Sequence, residues 1–284
     1  MAVGENPAVA DPSDVCPVDH HGEGDAPMTK LENRVALVTG GSRGIGRAIA
    51  EALAGEGAAV AVNYRSGQEQ AEEVVAGIVG QGGRAVAIQG DVADFAAAEA
   101  VVARTVEELG GLHIVVNNAG ISRDALLYNM DPGEWLEVMK VNFGGVFNCT
   151  KAALSTFMAQ REGVVVNISS VMGERGWTGE SNYAASKGAI NAFTRCCGVE
   201  LARFGIRVNA VLPGFSPTDM VAGLMDKDGG KGISKQIPLK VFATPEEVAR
   251  TAVFLAGPDA SHMTGSLLTV DGGVSAQVGI GKPL

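Results

Sequence analysis

The chain has 284 residues, of which 46% are hydrophobic, 19% charged and only 5% aromatic, with 39 glycines. A chain of this size can bury one large core, and its 32 acidic against 22 basic side chains argue against a nucleic-acid partner. No apolar run approaches the roughly 20 residues that span a bilayer, and the N-terminus lacks a basic stretch followed by an apolar one, so a soluble cytoplasmic protein with no membrane contact is expected.

The first basic residue is Lys30, preceded by Glu5, Asp11, Asp14, Asp19, Glu23 and Asp25 among Pro7, Pro12, Pro17 and Pro27. Residues 1–28 therefore read as a disordered acidic extension, dispensable for catalysis, and 29–284 as a single domain. Cys16, His20 and His21 make a poor metal set in such a tail, and no metal is expected. Cys149, Cys196 and Cys197 lie in helical patterns and read as buried small hydrophobes of a reducing compartment. His113, in a strand pattern, and His262 are the histidines left, too few to support a Ser-His-Asp triad or a catalytic zinc.

The domain opens with the β-branched run Arg34–Thr39, the loop Gly40 to Gly46 and a helix from Arg47 to Leu53. Strand, glycine loop and helix together suit a pyrophosphate at a helix N-terminus. The spacing Gly40, Gly44, Gly46 departs from G-x-G-x-x-G, which leaves a plain glycine-rich turn open. The next strand, Ala58–Tyr64, ends in Asn63-Tyr64-Arg65-Ser66, with no acidic residue before Glu69. An acid there would bind a ribose 2′-hydroxyl; Arg43 and Arg65 favour a 2′-phosphate instead, and so NADP(H) over NAD(H).

Strands Ala85–Ile88 and Leu112–Val116 follow, ending at Gly90-Asp91-Val92 and Asn117-Asn118-Ala119-Gly120. Asp91 could accept from an adenine amino group, and Ala119-Gly120 leave room beside a flat ring. A helix from Pro132 runs to Val141-Asn142-Phe143, where Asn142 interrupts an apolar face as a packing residue would. The apolar strand Val164–Ser169 leads into Ser170, which precedes Tyr183 by 13 residues; Lys187 follows Tyr183 by four. If Asn182 opens a helix, Tyr183 and Lys187 stack one turn apart, and the ammonium would make the phenol a useful acid at neutral pH.

Beyond come the strand Ile206–Leu212 with Pro213-Gly214, a mobile lid over about 215–241, a helix over Pro245–Ala256 and a strand over Leu267–Val270. Alternating strands and helices predict an α/β fold with a parallel sheet covered on both faces. Every polar motif falls at a strand's C-terminal end, where such a sheet binds ligands, so one crevice is expected.

Thr39-Gly40-x-x-x-Gly44-Ile45-Gly46, Asn117-Asn118-Ala119-Gly120, Asn142, Ser170, Tyr183-x-x-x-Lys187 and Pro213-Gly214 together resemble the short-chain dehydrogenase/reductases, over residues 31 to 273. The resemblance implies a doubly wound Rossmann-type sheet of about seven strands and a homotetramer. It makes Tyr183 the proton donor, Ser170 the holder of the substrate oxygen, Lys187 a partner of the nicotinamide ribose, and Asn142 the holder of a water linking Lys187 to solvent. The cofactor would be NADP(H), held by Gly40, Ser42, Arg43, Gly44, Ile45, Gly46, Asn63, Tyr64, Arg65, Ser66, Asp91, Val92, Asn118, Ala119, Gly120, Tyr183, Lys187, Pro213, Gly214 and Thr218. Phe215, Thr218 and Met220 would begin the lid.

Within the family the chain is most similar to the 3-oxoacyl-[acyl-carrier-protein] reductases of fatty acid biosynthesis and to acetoacetyl-CoA reductases, through Gly120–Leu127, Asn167–Ser170 and Pro213–Met220. That implies reduction of a 3-oxoacyl thioester. Arg161 and Arg203 are candidate contacts for an acyl-carrier protein, while Phe204 and the acidic tail speak against one. A reductase of a polyketide, sugar or steroid ketone, and a non-catalytic cofactor-binding subunit, stay open.

Overall fold

A computed structural model of the protein describes residues 30–218 and 230–277. The extension 1–28 with Cys16, His20 and His21, and the lid residues 219–229 including Met220, lie outside the described residues.

The seven strands are β1 (Val35–Val38), β2 (Ala59–Tyr64), β3 (Ala85–Gln89), β4 (Ile114–Asn117), β5 (Gly163–Ile168), β6 (Ile206–Pro213) and β7 (Leu267–Val270). They form one sheet in the order β3-β2-β1-β4-β5-β6-β7, with every pairing parallel. The order reverses beside β1, which pairs β2 through Val38↔Val62 and β4 through Val38↔Val116. A ligand crevice is expected at such a reversal.

Strand side chains alternate between the two faces, and both faces of this sheet are covered. Ala36 and Val38 join a core with Ile49 and Leu53 of α1 (Gly44–Gly55), Val74 and Ile78 of α2 (Gln68–Gly80), and Val248 and Leu255 of α7 (Pro245–Ala256). Val35 and Leu37 face the other way. They pack with Val101 of α3 (Phe95–Leu109), Phe157 of α5 (Gly145–Gln160) and Leu201 of α6 (Ser181–Leu201). Two-sided burial explains why these strands read as continuous apolar runs.

The helices start where local chemistry allows. Asp94 caps α3 by accepting from Ala97 N at 2.9 Å, and Asp131 caps α4 (Pro132–Met139) with Pro132 in its first turn. Thr244 and Glu247 form a reciprocal capping box on α7. Between α4 and α5 the backbone winds into a π-turn, Lys140–Gly144, so the single helix expected from Pro132 carries one widened turn, and Asn142 is buried inside it.

Three expectations need correction. Cys149 is buried, and burial pushes its thiol up to about 12, but Cys197 is only half-buried and Cys196 is exposed. His113 precedes β4 instead of lying in it: its Nδ1 accepts from Val35 N at 3.1 Å, so the ring stands in for a ladder carbonyl. The described part of 230–241 is docked rather than loose. It holds a short helix, Lys231–Ser234, then Ile237 at 1% exposure and a Leu239 N to Gly272 O bond. Burying that isoleucine stabilises the docking by about 2 kcal/mol.

Candidate active site

A cleft of about 810 Å³ opens at the C-terminal ends of the strands. Each residue expected to hold a dinucleotide lines it, together with Ser170. Asn142 does not, while Ile121, Ser122, Arg123, Ser216 and Pro217 extend the wall beyond the expected set. A second hollow of about 600 Å³ lies at the opposite sheet edge, beside Gly55, Gln81, Leu109 and Gly110. It gathers the carbonyl ends of helices and none of the motifs.

At the phosphate end, Gly40 and Gly44 adopt φ of 60° and 53°, which suits glycine. A Cβ on Gly46 would stand 2.2 Å from Gly40 O and 2.4 Å from Asn118 Nδ2, so that glycine is needed for close approach. No side chain caps α1, which leaves its N-terminus suited to an anion. These features fit a dinucleotide's pyrophosphate.

The loop is tied to its neighbour by Thr39. Its Oγ1 accepts from Asn118 N at 3.0 Å and Ala119 N at 3.1 Å, and donates to Val116 O at 3.4 Å. Asn118 Nδ2 returns bonds to Thr39 O and Gly40 O. Asn63 is a strap as well as a wall: its amide donates to Ile88 O and Gly90 O, both at 3.1 Å. Asp91 accepts from Ala93 N at 3.0 Å and lies 4.0 Å from the Arg65 guanidinium, a loose ion pair between half-exposed groups.

At the other end β5 delivers Ser170. Its Oγ accepts from Met172 N at 3.1 Å, and the hydroxyl favours the ionised form of the nearby Tyr183 phenol. Tyr183 and Lys187 do share one face of α6, with Nζ 5.4 Å from the ring centroid. The ammonium donates to Ile168 O at 2.8 Å, at the end of β5. A Cβ on Gly173 would meet Asn191 Nδ2 and the Lys187 backbone at 2.8 Å, so a glycine lets the Ser170 turn press against α6. Ser169 adds a second fastening, its single hydroxyl proton shared between Asn191 Oδ1 at 2.6 Å and Lys187 O at 3.1 Å.

The electrostatics differ from the expectation that Lys187 lowers the tyrosine. Burial pushes the Tyr183 phenol well up and the Glu180 and Asp124 carboxyls add to the rise, while the Ser170 hydroxyl opposes it. Burial also brings Lys187 down to about 8. Its ammonium lies over the ring and bonds a backbone carbonyl, so its charge is not directed at the phenol oxygen.

Asn142 spends its side chain on protein. Its Oδ1 accepts from Ile121 N at 2.8 Å, and its Nδ2 donates to Ile121 O and Ser186 Oγ, both at 3.0 Å. The amide thus fixes the cleft segment at Ile121 rather than offering a group to water. Another polar row went unread in the sequence: Asn117 Nδ2 donates to Thr150 Oγ1 and Asn167 Oδ1, and Asn167 Nδ2 to Thr194 Oγ1. The Asn in the middle of each apolar strand end was its signal.

Arg161 and Arg203 are not at the cleft mouth. Arg161 follows α5 and precedes β5, whereas Ser170 follows β5; the length of that strand separates them, about 20 Å. Arg203 lies over the Phe204 ring at 4.7 Å, and Arg161 donates to its carbonyl. Within one chain this pair stands at the opposite edge of the sheet.

Residues 40–275 match the family model described as enoyl-(acyl carrier protein) reductase. A 3-oxoacyl-[acyl-carrier-protein] reductase of Synechocystis is 44% identical over 248 residues, covering 87% of this chain and 99% of that one. Its counterpart in Staphylococcus aureus is 45% identical over 239 residues, covering 84% and 97%. The crystal structure of a gluconate 5-dehydrogenase from Burkholderia cenocepacia, in complex with NADP and tartrate, superposes with a TM-score of 0.84 at 34% identity, covering 88% and 98%. With this sheet order, and with the serine, tyrosine and lysine gathered at one cleft, the chain belongs to the short-chain dehydrogenase/reductase family of oxidoreductases.

Proposed function

We propose that the protein reduces the ketone of a 3-oxoacyl thioester to the 3-hydroxy compound, with NADPH as reductant. The observation that carries this reading is the gathering of Ser170, Tyr183 and Lys187 at the head of the cleft. Two hydroxyls directed at one point suit a carbonyl oxygen, which gains charge during reduction, better than a carbon–carbon double bond.

When bound, NADPH supplies the hydride, and the protein supplies placement and a proton. Ser170 holds the ketone oxygen, and Tyr183 gives it the phenolic proton as charge develops there. Lys187 holds the nicotinamide ribose. Asn142 acts through Ile121 as a positioning residue. At the far end, the α1 N-terminus and glycine loop receive the pyrophosphate, and Arg43 and Arg65 the 2′-phosphate.

The 3-oxoacyl relatives support the substrate class, and the Burkholderia structure supports NADP. That relative's name keeps a sugar-acid ketone as the second reading, but Glu180 and Asp124 near Tyr183 would repel a carboxylate substrate. Exposed Leu127, Tyr128, Leu136, Phe147 and Val199 favour self-association, consistent with a homotetramer. In such an assembly, Arg161 and Arg203 of one subunit could meet a carrier protein at another's cleft. No helix among the described residues is long and apolar enough to cross a membrane, and a cytoplasmic site of action suits this chemistry.

A substrate panel tests the reading. Acetoacetyl-CoA, acetoacetyl-acyl-carrier protein and 5-oxogluconate are offered with NADPH, and the thioesters are expected to turn over at least tenfold better than the sugar acid. Preference for 5-oxogluconate would overturn the thioester assignment.

A further inference from the structure

One polar group at the head of the site is unused by the reduction. Glu180 occupies the N-cap position of α6, yet its side chain makes no capping bond, and its Oε2 is buried without a hydrogen-bond partner. It stands one helical turn before Tyr183, on the same side of the helix entrance.

A second carboxyl is held beside it. The segment after β4 is stitched to the start of α6 by Ala125 N to Gly179 O at 2.9 Å and by Asn182 Nδ2 to Arg123 O at 2.8 Å. This brings Asp124, whose residue is exposed, to the rim of the same recess. The neighbouring cations are engaged elsewhere. Arg123 reaches Glu137 on α4 at 3.2 Å, Arg175 donates to Ser275 O, and Lys187, over the other side of the ring, donates to Ile168 O. Tyr183 thus meets two carboxyls from the α6 entrance and the segment after β4, the Ser170 hydroxyl from the end of β5, and Lys187 from its own helix.

We propose that Glu180, seconded by Asp124, is an electrostatic positioning residue for the proton donor: its carboxylate holds the proton on Tyr183 and thereby sets the alkaline limit of reduction and the acid limit of the reverse oxidation. A negative neighbour disfavours phenolate, because the second charge must form against the first. Burial and Asp124 push Glu180 itself up to about 7. Its charge is therefore present above neutrality, so that the phenolate, already disfavoured by burial, must form against it. Both limits report one phenol, so a single substitution moves them together.

The inference rests on Tyr183 being the proton donor, and its test has an arm that needs no substrate. The chain contains three tyrosines, so 13C-tyrosine labelling gives three resonances, and Tyr183→Phe identifies that of Tyr183. In Glu180→Gln the Tyr183 resonance should titrate about one pH unit lower than in the wild type. Asp124→Asn should move it less, in the same direction, and Glu180→Asp should restore it. The alkaline limb of kcat/KM with acetoacetyl-CoA should shift by the same amount. Coincident Tyr183 titrations in Glu180→Gln and the wild type, with unchanged far-UV circular dichroism and NADPH affinity, would overturn the proposal. Failure to reduce acetoacetyl-CoA would count against the thioester reading alone, since the tyrosine titration decides the role of Glu180 independently.

Discussion

Thr39→Val removes one oxygen and keeps the side chain's volume, which isolates the hub joining the glycine loop to the end of β4. The hydroxyl accepts from two half-buried amides, Asn118 N and Ala119 N. An amide left without its partner costs about 1–3 kcal/mol, and partial exposure favours the lower end. The sum is about 2–3 kcal/mol, because the long bond to Val116 O adds little. The loss should lower the melting temperature by at least several degrees. It should also raise the KM for NADPH, since Asn118 then no longer fixes Gly40. Thermal unfolding by circular dichroism and initial rates against NADPH read both effects, with Thr39→Ser as the control that keeps the hydroxyl. A valine variant that melts and binds NADPH like the wild type would refute the hub.

Two further substitutions probe the ends of the cleft. Gly46→Ala would press a methyl group into Gly40 O, a backbone atom that cannot swing aside. A strain of about 1–3 kcal/mol should weaken NADPH binding about tenfold or more, read by fluorescence titration. Lys187→Met should abolish turnover yet raise the melting temperature. Lowering a buried lysine from 10.5 to about 8 corresponds to roughly 3 kcal/mol against the charged form, whereas the lost bond to Ile168 O costs about 1 kcal/mol. The pH dependence has a definite sign. Between pH 8 and 10.5 the unfolded lysine holds its proton and the folded one does not, so this group makes stability rise with pH in that window. Urea midpoints across the window should show the slope in the wild type and lose it in Lys187→Met.

Much of the architecture was legible because the central strands are buried on both faces. Apolar runs such as Val164–Ile168 and Ile206–Leu212 mark strands without competing patterns, and the glycines and polar residues after them mark the cleft. The unread part is long-range polar pairing. Nothing near Thr39 announces that its hydroxyl serves amides 79 and 80 residues away, and the Asn117–Asn167 bond spans 50 residues. Asn63 and Asn142 were seen as site residues, but their amide partners depend on how loops fold back across the sheet. The stacking of Tyr183 and Lys187 followed from spacing; the direction of the phenol's shift did not, because burial and then the Glu180 carboxyl raise it while the ammonium is aimed elsewhere. Residues 215–241 broke the periodicity and read as a mobile lid, whereas Ile237 packs against Gly272 after β7.

In the proposed carbonyl reduction, Tyr183 gives the proton and Arg43 and Arg65 select the phosphorylated cofactor. The most direct test follows the loss of cofactor absorbance with acetoacetyl-CoA, using NADPH and NADH in parallel, for the wild type and Tyr183→Phe. Turnover with NADPH is expected well above that with NADH, with a loss of at least 100-fold in the phenylalanine variant and NADPH affinity unchanged. Undiminished turnover by Tyr183→Phe would contradict the mechanism, and a preference for NADH would contradict the roles given to the two arginines.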